Sequence, residues 1–306
     1  MKPIAVICGP TASGKTGFAV DLAEKLNTEV VSADSMLVYK RLNIGTAKPT
    51  PEEMRNVRHH MIDVVSPTEK FSVSDYRNMA LPVIERLLNE GKTPVICGGT
   101  GFYIEALLYR SEMGGFGANE EVRAKYAAVL REMGAEEGAK YLHSLLEKAD
   151  SESAARLHVN DVKRVIRALE IYECTGRKKS EQHDTKTPRF RFYAYCVSFP
   201  RETLYQRIDK RVDEMFERGL VNEVEELLHS GVRRTDQCMQ GIGYKEVIEG
   251  ILDGVPWERV KDNVKRNTRR YAKRQITFFK RMQNLIEIPF KALETNEKFK
   301  YTEDLF

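Results

Sequence analysis

The chain has 306 residues, 42% hydrophobic and 31% charged, with a formal net charge of +4. That balance excludes a disordered or collagen-like chain, fits roughly two domains, and is too mildly basic to argue for nucleic acid by itself. The longest apolar stretches, such as Pro3 to Cys8 and Pro94 to Cys97, are strand-sized and far short of the about 20 residues a membrane helix needs, so no membrane partner is expected.

In chain order, Ile4–Cys8 reads as a first strand, followed by a glycine-rich loop and a helix with Phe18, Leu22 and Leu26 at four-residue spacing. A second strand covers Glu29–Ser32 and ends near Asp34. Pro94–Cys97 is a third, closed by Gly98-Gly99-Thr100-Gly101 before a helical run with Phe102, Ile104 and Leu107. Alternating strands and helices of this kind build a parallel α/β sheet. The pattern then changes: a connector with Gly114, Gly115 and Gly117 opens a stretch of helical periodicity without an apolar β run. An all-helical insertion over 113–191 is expected, leaving 1–112 and 192–306 as the α/β core. Strand character returns at Phe192–Phe199, then helices from about Glu202 to Arg218, Val221 to His229, Lys245 to Leu252 and Pro256 to Arg281, and a last short strand at Asn284–Ile288.

Residues 1–20 lack the basic, apolar, small-residue order of a secretory signal, so the cytosol is the expected compartment. Five cysteines with no C-x-x-C pair suggest neither a disulfide framework nor zinc, only buried or incidental thiols. His59-His60 with Asp63 is a weak metal candidate, because adjacent residues on a strand face opposite ways. Trp257, after Pro256 at a helix start, reads as a core or capping residue.

Gly9-Pro10-Thr11-Ala12-Ser13-Gly14-Lys15-Thr16 meets the spacing G-x-x-x-x-G-K-[ST] between a strand and a helix. Such a loop turns its N–H groups onto phosphate oxygens at the positive end of a helix. Lys15 then reaches the outer phosphate and the Thr16 hydroxyl holds Mg²⁺. A P-loop NTPase-like parallel sheet flanked by helices is the expected core. The loop does not say whether its diphosphate belongs to a nucleotide such as ATP. Asp34, at the carboxyl edge where open α/β sheets bind ligands, is placed to take a proton from a nucleophile, in a small-molecule kinase or another transferase. As a residue of Ser32-Ala33-Asp34-Ser35 it also reads as a turn acid.

Arg259 to Arg281 holds ten Lys or Arg and the single acid Asp262. At 100° per residue Val260, Val264, Tyr271 and Phe278 share one stripe, with Lys265, Arg269, Lys273 and Lys280 opposite, open to phosphates.

Over nearly its whole length the sequence resembles the tRNA dimethylallyltransferases, also called tRNA isopentenyltransferases. The resemblance rests on the phosphate loop, on Ser32-Ala33-Asp34-Ser35-Met36-Leu37-Val38-Tyr39 with Asn43-Ile44-Gly45-Thr46-Ala47-Lys48-Pro49, and on His59-His60-Met61-Ile62-Asp63 and Gly98-Gly99-Thr100-Gly101. It extends through Asn160 to Glu170 and Thr268 to Thr277. It implies a Mg²⁺-dependent transfer of a dimethylallyl group from dimethylallyl diphosphate to the exocyclic amine of the adenosine 3′ to a tRNA anticodon, by a protein expected to be a monomer. By the same implication Asp34 is the base, Thr100 contacts the tRNA beside it, and Arg211 stabilises the departing diphosphate, with Arg207 and Arg218 as alternatives. Ser35, Met36 and Leu37 line the pocket of the flipped base. Gln240, Gly241, Ile242, Gly243, Tyr244 and Lys245 form a second RNA-contacting segment, although Gly-Ile-Gly-Tyr is equally a helix entry turn. Lys163, Arg164, Arg167 and Arg177-Lys178-Lys179 of the insertion, Arg123 near its start, and Lys273 complete the expected RNA surface.

Overall fold

The computed structural model describes residues 2–110, 119–181 and 187–305. The chain divides into two compact units, residues 1–109 with 188–306, and residues 110–187. The connector glycines Gly114, Gly115 and Gly117 lie outside the described residues.

The first unit runs β1 (Ile4–Cys8), α1 (Lys15–Lys25), β2 (Val30–Ser32), α2 (Pro51–Met54), β3 (His59–His60), α3 (Val73–Asn89), β4 (Val95–Gly98) and α4 (Gly101–Leu108). Short strands β5 (Tyr109–Arg110) and β6 (Thr187–Pro188) mark where the chain leaves and returns; between them lie α5 (Glu120–Met133), α6 (Ala135–Ala149), α7 (Ser151–Arg156) and α8 (Val162–Thr175). After the return come β7 (Phe192–Ser198), α9 (Arg201–Glu217), α10 (Leu220–His229), α11 (Tyr244–Asp253), α12 (Trp257–Phe279) and β8 (Leu285–Pro289).

Six parallel strands form one sheet in the order β3-β2-β4-β1-β7-β8. β1 sits inside it, and all five of its residues are buried, as expected of a parallel strand covered on both faces. Its side chains alternate between two cores. Ile4, Val6 and Cys8 join Ile84, Ile104, Val247 and Phe279 on one face; Ala5 and Ile7 join Phe18, Leu22 and Ile288 on the other. Two-residue β3 extends the sheet beyond the strands expected from sequence.

Buried Glu223 on α10 accepts hydrogen bonds from the N–H groups of Asn43 (2.8 Å), Ile44 (2.8 Å) and Gly45 (3.1 Å) and from the Tyr244 hydroxyl (2.6 Å). One carboxylate thereby satisfies a turn whose own backbone has no ladder partner.

The second unit has its own core of Tyr126, Leu142, Leu146, Ala154, Val165, Ala168 and Leu169. Its compact limits, 110 and 187, lie a few residues from the 113 and 191 read from periodicity. Trp257 does open α12, but it is 44% exposed rather than core and packs beside Gly250. In α4, Ile104 and Leu107 are fully buried while Phe102 is 64% exposed. Among the described residues no helix is long and apolar enough to cross a membrane.

Candidate active site

β1 delivers the chain into residues 9–14, and α1 begins at Lys15 with Gly14 as its N-cap in the left-handed region (φ 79°). The Lys15 ammonium donates to the Pro10 carbonyl at 3.2 Å. Burial pushes its pKa below the ordinary value, while Cys97 and Asp34 pull it back. Two side chains from distant segments brace the loop. Arg207 Nε donates to the Ala12 carbonyl at 2.9 Å, and the Thr11 N–H donates to Gln275 Oε1 at 2.9 Å.

β2 ends at Ser32, and the chain passes Gly98 at close range on its way to Asp34. A Cβ on Gly98 would lie 2.1 Å from the Ala33 carbonyl oxygen, so only glycine fits where these backbones cross. Asp34 does form a turn: its Oδ1 accepts from the Met36 N–H at 2.9 Å. The Ser35 N–H donates to Thr100 Oγ1 at 3.0 Å, which fixes the Asp34 segment to the N-terminus of α4. Burial pushes the Tyr271 hydroxyl up to about 12; the charge of Asp34 adds to this, and hydrogen bonds to Thr100 and Gln275 oppose it.

These groups enclose a cavity of about 440 Å³. Thr11, Lys15, Thr16 and Arg211 line it, together with Asp34, Ser35, Met36 and Leu37. Gln240, Gly241 and Ile242 close another part of the wall. The phosphate loop and the proposed base are therefore in one chamber, within the size range of small-molecule sites. Arg211 is half-buried, and burial, with Arg207 adding to it, lowers its pKa; a guanidinium remains charged regardless. Of the three candidate arginines, Arg211 lines the chamber and Arg207 binds the loop's backbone, whereas exposed Arg218 caps the far end of α9.

The remaining expected residues divide. Tyr244 is fully buried with its hydroxyl on Glu223, and Gly243 is buried at the N-cap of α11. Both therefore belong to the helix entry turn rather than an RNA-facing surface, while Gln240 and Lys245 are exposed. In the second unit Lys163 and Arg164 are exposed on α8, with Arg164 paired to Asp161 at 3.1 Å. Arg123 is occupied locally: its Nε donates to buried Glu170 at 3.0 Å, and Arg167 reaches the same carboxylate at 2.7 Å.

The cationic face of α12 is narrower than its periodicity implies. Lys265 donates to Asp213 at 3.0 Å and Arg269 to Asp209 at 2.5 and 2.7 Å, both acids coming from α9. The charges missing from residues 259–281 are supplied by a neighbouring helix. Lys273 and Lys280 remain exposed, as do Arg266, Arg270, Arg274 and Arg281.

His59 and His60 do point apart. His59 Nδ1 lies 2.8 Å from the Val57 carbonyl and its ring lines the chamber, while His60 Nε2 lies 2.5 Å from Glu29. Among the described residues no cluster of three His, Cys, Asp or Glu could hold a metal. The Thr16 hydroxyl and the Asp34 carboxylate both line the chamber, a hard-oxygen donor set that fits Mg²⁺, a cation that keeps water and takes its other ligands from phosphate. The five thiols are free; burial pushes Cys97, behind Lys15, up to about 12.

Sequence reasoning missed Gln275, Tyr39, Thr46 and Thr268 as wall residues. All four lie in segments that carry the resemblance, Tyr39 and Thr46 in the second signature and Thr268 and Gln275 in Thr268 to Thr277, but none was singled out for a role.

Residues 37–282 match the family model described as IPP transferase. The chain is 42% identical over 301 residues to the tRNA dimethylallyltransferase of Acetivibrio thermocellus, covering 97% of this chain and 95% of that one. It is 42% identical over 300 residues to that of Halalkalibacterium halodurans, covering 97% and 94%. The solved structure of a full-length tRNA isopentenylpyrophosphate transferase from Bacillus halodurans is similar with a TM-score of 0.73 at 38% identity, covering 100% of this chain and 97% of that one. A eukaryotic dimethylallyltransferase acting on tRNA gives a TM-score of 0.81 at 29% identity, covering 96% and 75%. With relatives this similar along nearly its full length, the chain belongs to the IPP transferase family.

Proposed function

We propose that the chain is a tRNA dimethylallyltransferase, moving a dimethylallyl group from its diphosphate to the exocyclic amine of the adenosine 3′ to the anticodon and releasing diphosphate. The observation that carries this reading is the single chamber shared by Lys15, Thr16 and Arg211 on one side and Asp34, Ser35 and Met36 on the other.

The chemistry needs both sides. Adenine's amine is a poor nucleophile, so most of the rate must come from stabilising charge on the departing diphosphate. The loop N–H groups, Lys15 and Arg211 hold that charge, with Arg207 keeping the loop in shape through Ala12. A Mg²⁺ held by Thr16 would neutralise diphosphate charge further. As the carbon–oxygen bond of the donor breaks and the carbon–nitrogen bond forms, Asp34 takes the proton from the amine, while Thr100 fixes the turn that aims Asp34. The target base must leave its stack to enter the chamber, and Met36 and Leu37 supply apolar surface for it.

Exposed cations on α12, Lys273 among them, with Lys163 and Arg164 on α8 and Gln240 and Lys245 before and within α11, are proposed to meet the RNA. The protein is proposed to act as a cytosolic monomer.

The test is direct: purified protein, dimethylallyl diphosphate, Mg²⁺ and unmodified tRNA are incubated, and the digested nucleosides are weighed by mass spectrometry. An adenosine carrying one five-carbon unit is the expected product. Its absence, with ATP consumed on a small hydroxyl acceptor instead, would replace this reading with a kinase.

A further inference from the structure

We propose that Phe102 is a stacking platform for an unpaired base of the RNA loop that carries the target adenosine. This rests on the transfer reading above and adds a contact to it.

Single exposed apolar side chains are common and call for no explanation. Phe102 differs in extent and in setting. At 64% it is the most exposed of the large hydrophobic residues described as exposed, ahead of Leu252 at 52% and Trp257 at 44%. It is the second residue of α4, directly after Gly101 and two after Thr100, whose hydroxyl oxygen holds the Ser35 N–H at the chamber wall. An apolar ring is thus set in open solvent beside the acceptor half of the site.

The ring is also held in place. It makes a T-shaped contact with Phe278, with centroids 5.4 Å apart and planes at 70°, and Phe278 makes another with fully buried Phe279 at 5.7 Å and 81°. A Cβ on Gly101 would lie 2.1 Å from the Phe278 ring, so glycine there is what lets α4 meet that ring. A ring held by this contact yet 64% exposed offers aromatic surface with less ordering cost on binding.

Its surroundings select the partner. Phe278 follows Arg274 by one helical turn on the same face of α12, and Arg274 lines the chamber. Arg274 and Arg281, both exposed, fall on the Phe278 side of this stretch of chain, whereas Lys273 and Lys280 fall on the other. An aromatic face bordered by cations fits an unpaired nucleotide, the base stacking on the ring and its phosphates meeting the cations. The exposed aromatic of α12 itself, Trp257, begins the helix beside Glu258 at the opposite end, and Gly250 lies against its ring.

The experiment compares Phe102→Ala, Phe102→Leu and Phe102→Tyr. Each is tested for binding an anticodon stem-loop RNA with 2-aminopurine at a position flanking the target, and for steady-state transfer. Loss of stacking is expected to weaken RNA binding by about 5- to 150-fold in the Ala and Leu variants. Both should also lose the quenching of 2-aminopurine, with kcat at saturating RNA and KM for the allyl diphosphate unchanged. Phe102→Tyr should restore both affinity and quenching. Phe102→Leu keeps an apolar contact with Phe278, so a variant that binds like wild type would overturn stacking in favour of simple apolar packing. Wild-type affinity in Phe102→Ala, or no quenching in the wild type, would also overturn it. Quenching and affinity are read without turnover: an intact Phe102 effect in a protein that transfers nothing would sink the transfer reading and leave the stacking site standing.

Discussion

The carboxamide of Gln275 joins the phosphate loop to the Gly98-Gly99 turn: its Oε1 accepts from the Thr11 N–H at 2.9 Å, and its Nε2 donates to the Gly99 carbonyl at 2.9 Å. The residue is 5% exposed, lines the chamber, and lies one turn beyond Tyr271 on α12. One side chain thus couples the proposed diphosphate loop to the segment that positions Thr100 and, through it, Asp34. Replacing it with Leu keeps the bulk and leaves the buried Gly99 carbonyl unpaired, at about 1–3 kcal/mol, and the part-buried Thr11 N–H without its partner at a smaller cost. Chemical denaturation should show that loss, and KM for the allyl diphosphate should rise in Gln275→Leu. A variant with wild-type stability and KM would show that the bridge is dispensable.

Asp34→Ala removes the proposed proton acceptor from the chamber. Turnover should fall by about 10² to 10⁴, the contribution of a positioned base, while RNA affinity changes little. Single-turnover rates beside equilibrium binding of the same tRNA give both numbers, and an unchanged rate would remove Asp34 from the mechanism.

Lys273 and Arg269 lie on the same helix and should behave differently. Lys273 is exposed, so Lys273→Glu should weaken RNA binding and reduce the slope of log affinity against log salt by about 1 or more. Arg269 is engaged with Asp209, so Arg269→Ala should leave the slope alone and cost at most about 1 kcal/mol of stability in this part-exposed pair. Equal salt slopes in the two variants would show that the pairing on α9 does not withdraw Arg269 from RNA.

Asp150 is an acid-sensitive point of the helical unit. Burial raises its pKa, but hydrogen bonds from the hydroxyl and N–H groups of Ser153 and Ser180 outweigh this and bring it from 3.8 down to about 2. With the folded value below the unfolded one, the stabilisation is complete above about pH 4 and lost as pH falls toward 2. A shift of this size corresponds to about 2 kcal/mol. Denaturation of wild type and Asp150→Asn at pH 5 and pH 2.5 measures it: the stability gap between them should close at the lower pH.

The sequence by itself determined the elements whose signals are local. The phosphate loop follows from glycine spacing beside an apolar strand, β1 through its five apolar residues, and the later helices from periodicity that came within a few residues of α9, α10, α11 and α12. Asp34 was legible too, because a carboxylate at the end of a parallel strand falls on the ligand edge. Its turn reading is seen in the bond to Met36, and it lines the chamber, where the proposed role as base would need it. Only tertiary structure decided the rest, because it depends on groups far apart along the chain. Periodicity marked Lys265 and Arg269 as phosphate-facing, but their counter-charges Asp213 and Asp209 lie on another helix. Tyr244 is withdrawn from solvent by Glu223. Gln275 lies in the Thr268 to Thr277 segment, but its bridging role exists only where α12 meets the phosphate loop and the Gly98-Gly99 turn. Phe102 was named only as part of a helical run, and its exposure beside Phe278 is set by the packing of α4 on α12. Local pattern specifies what a segment can form; which partner satisfies each charge and buried polar group is settled by the long-range closure of the fold.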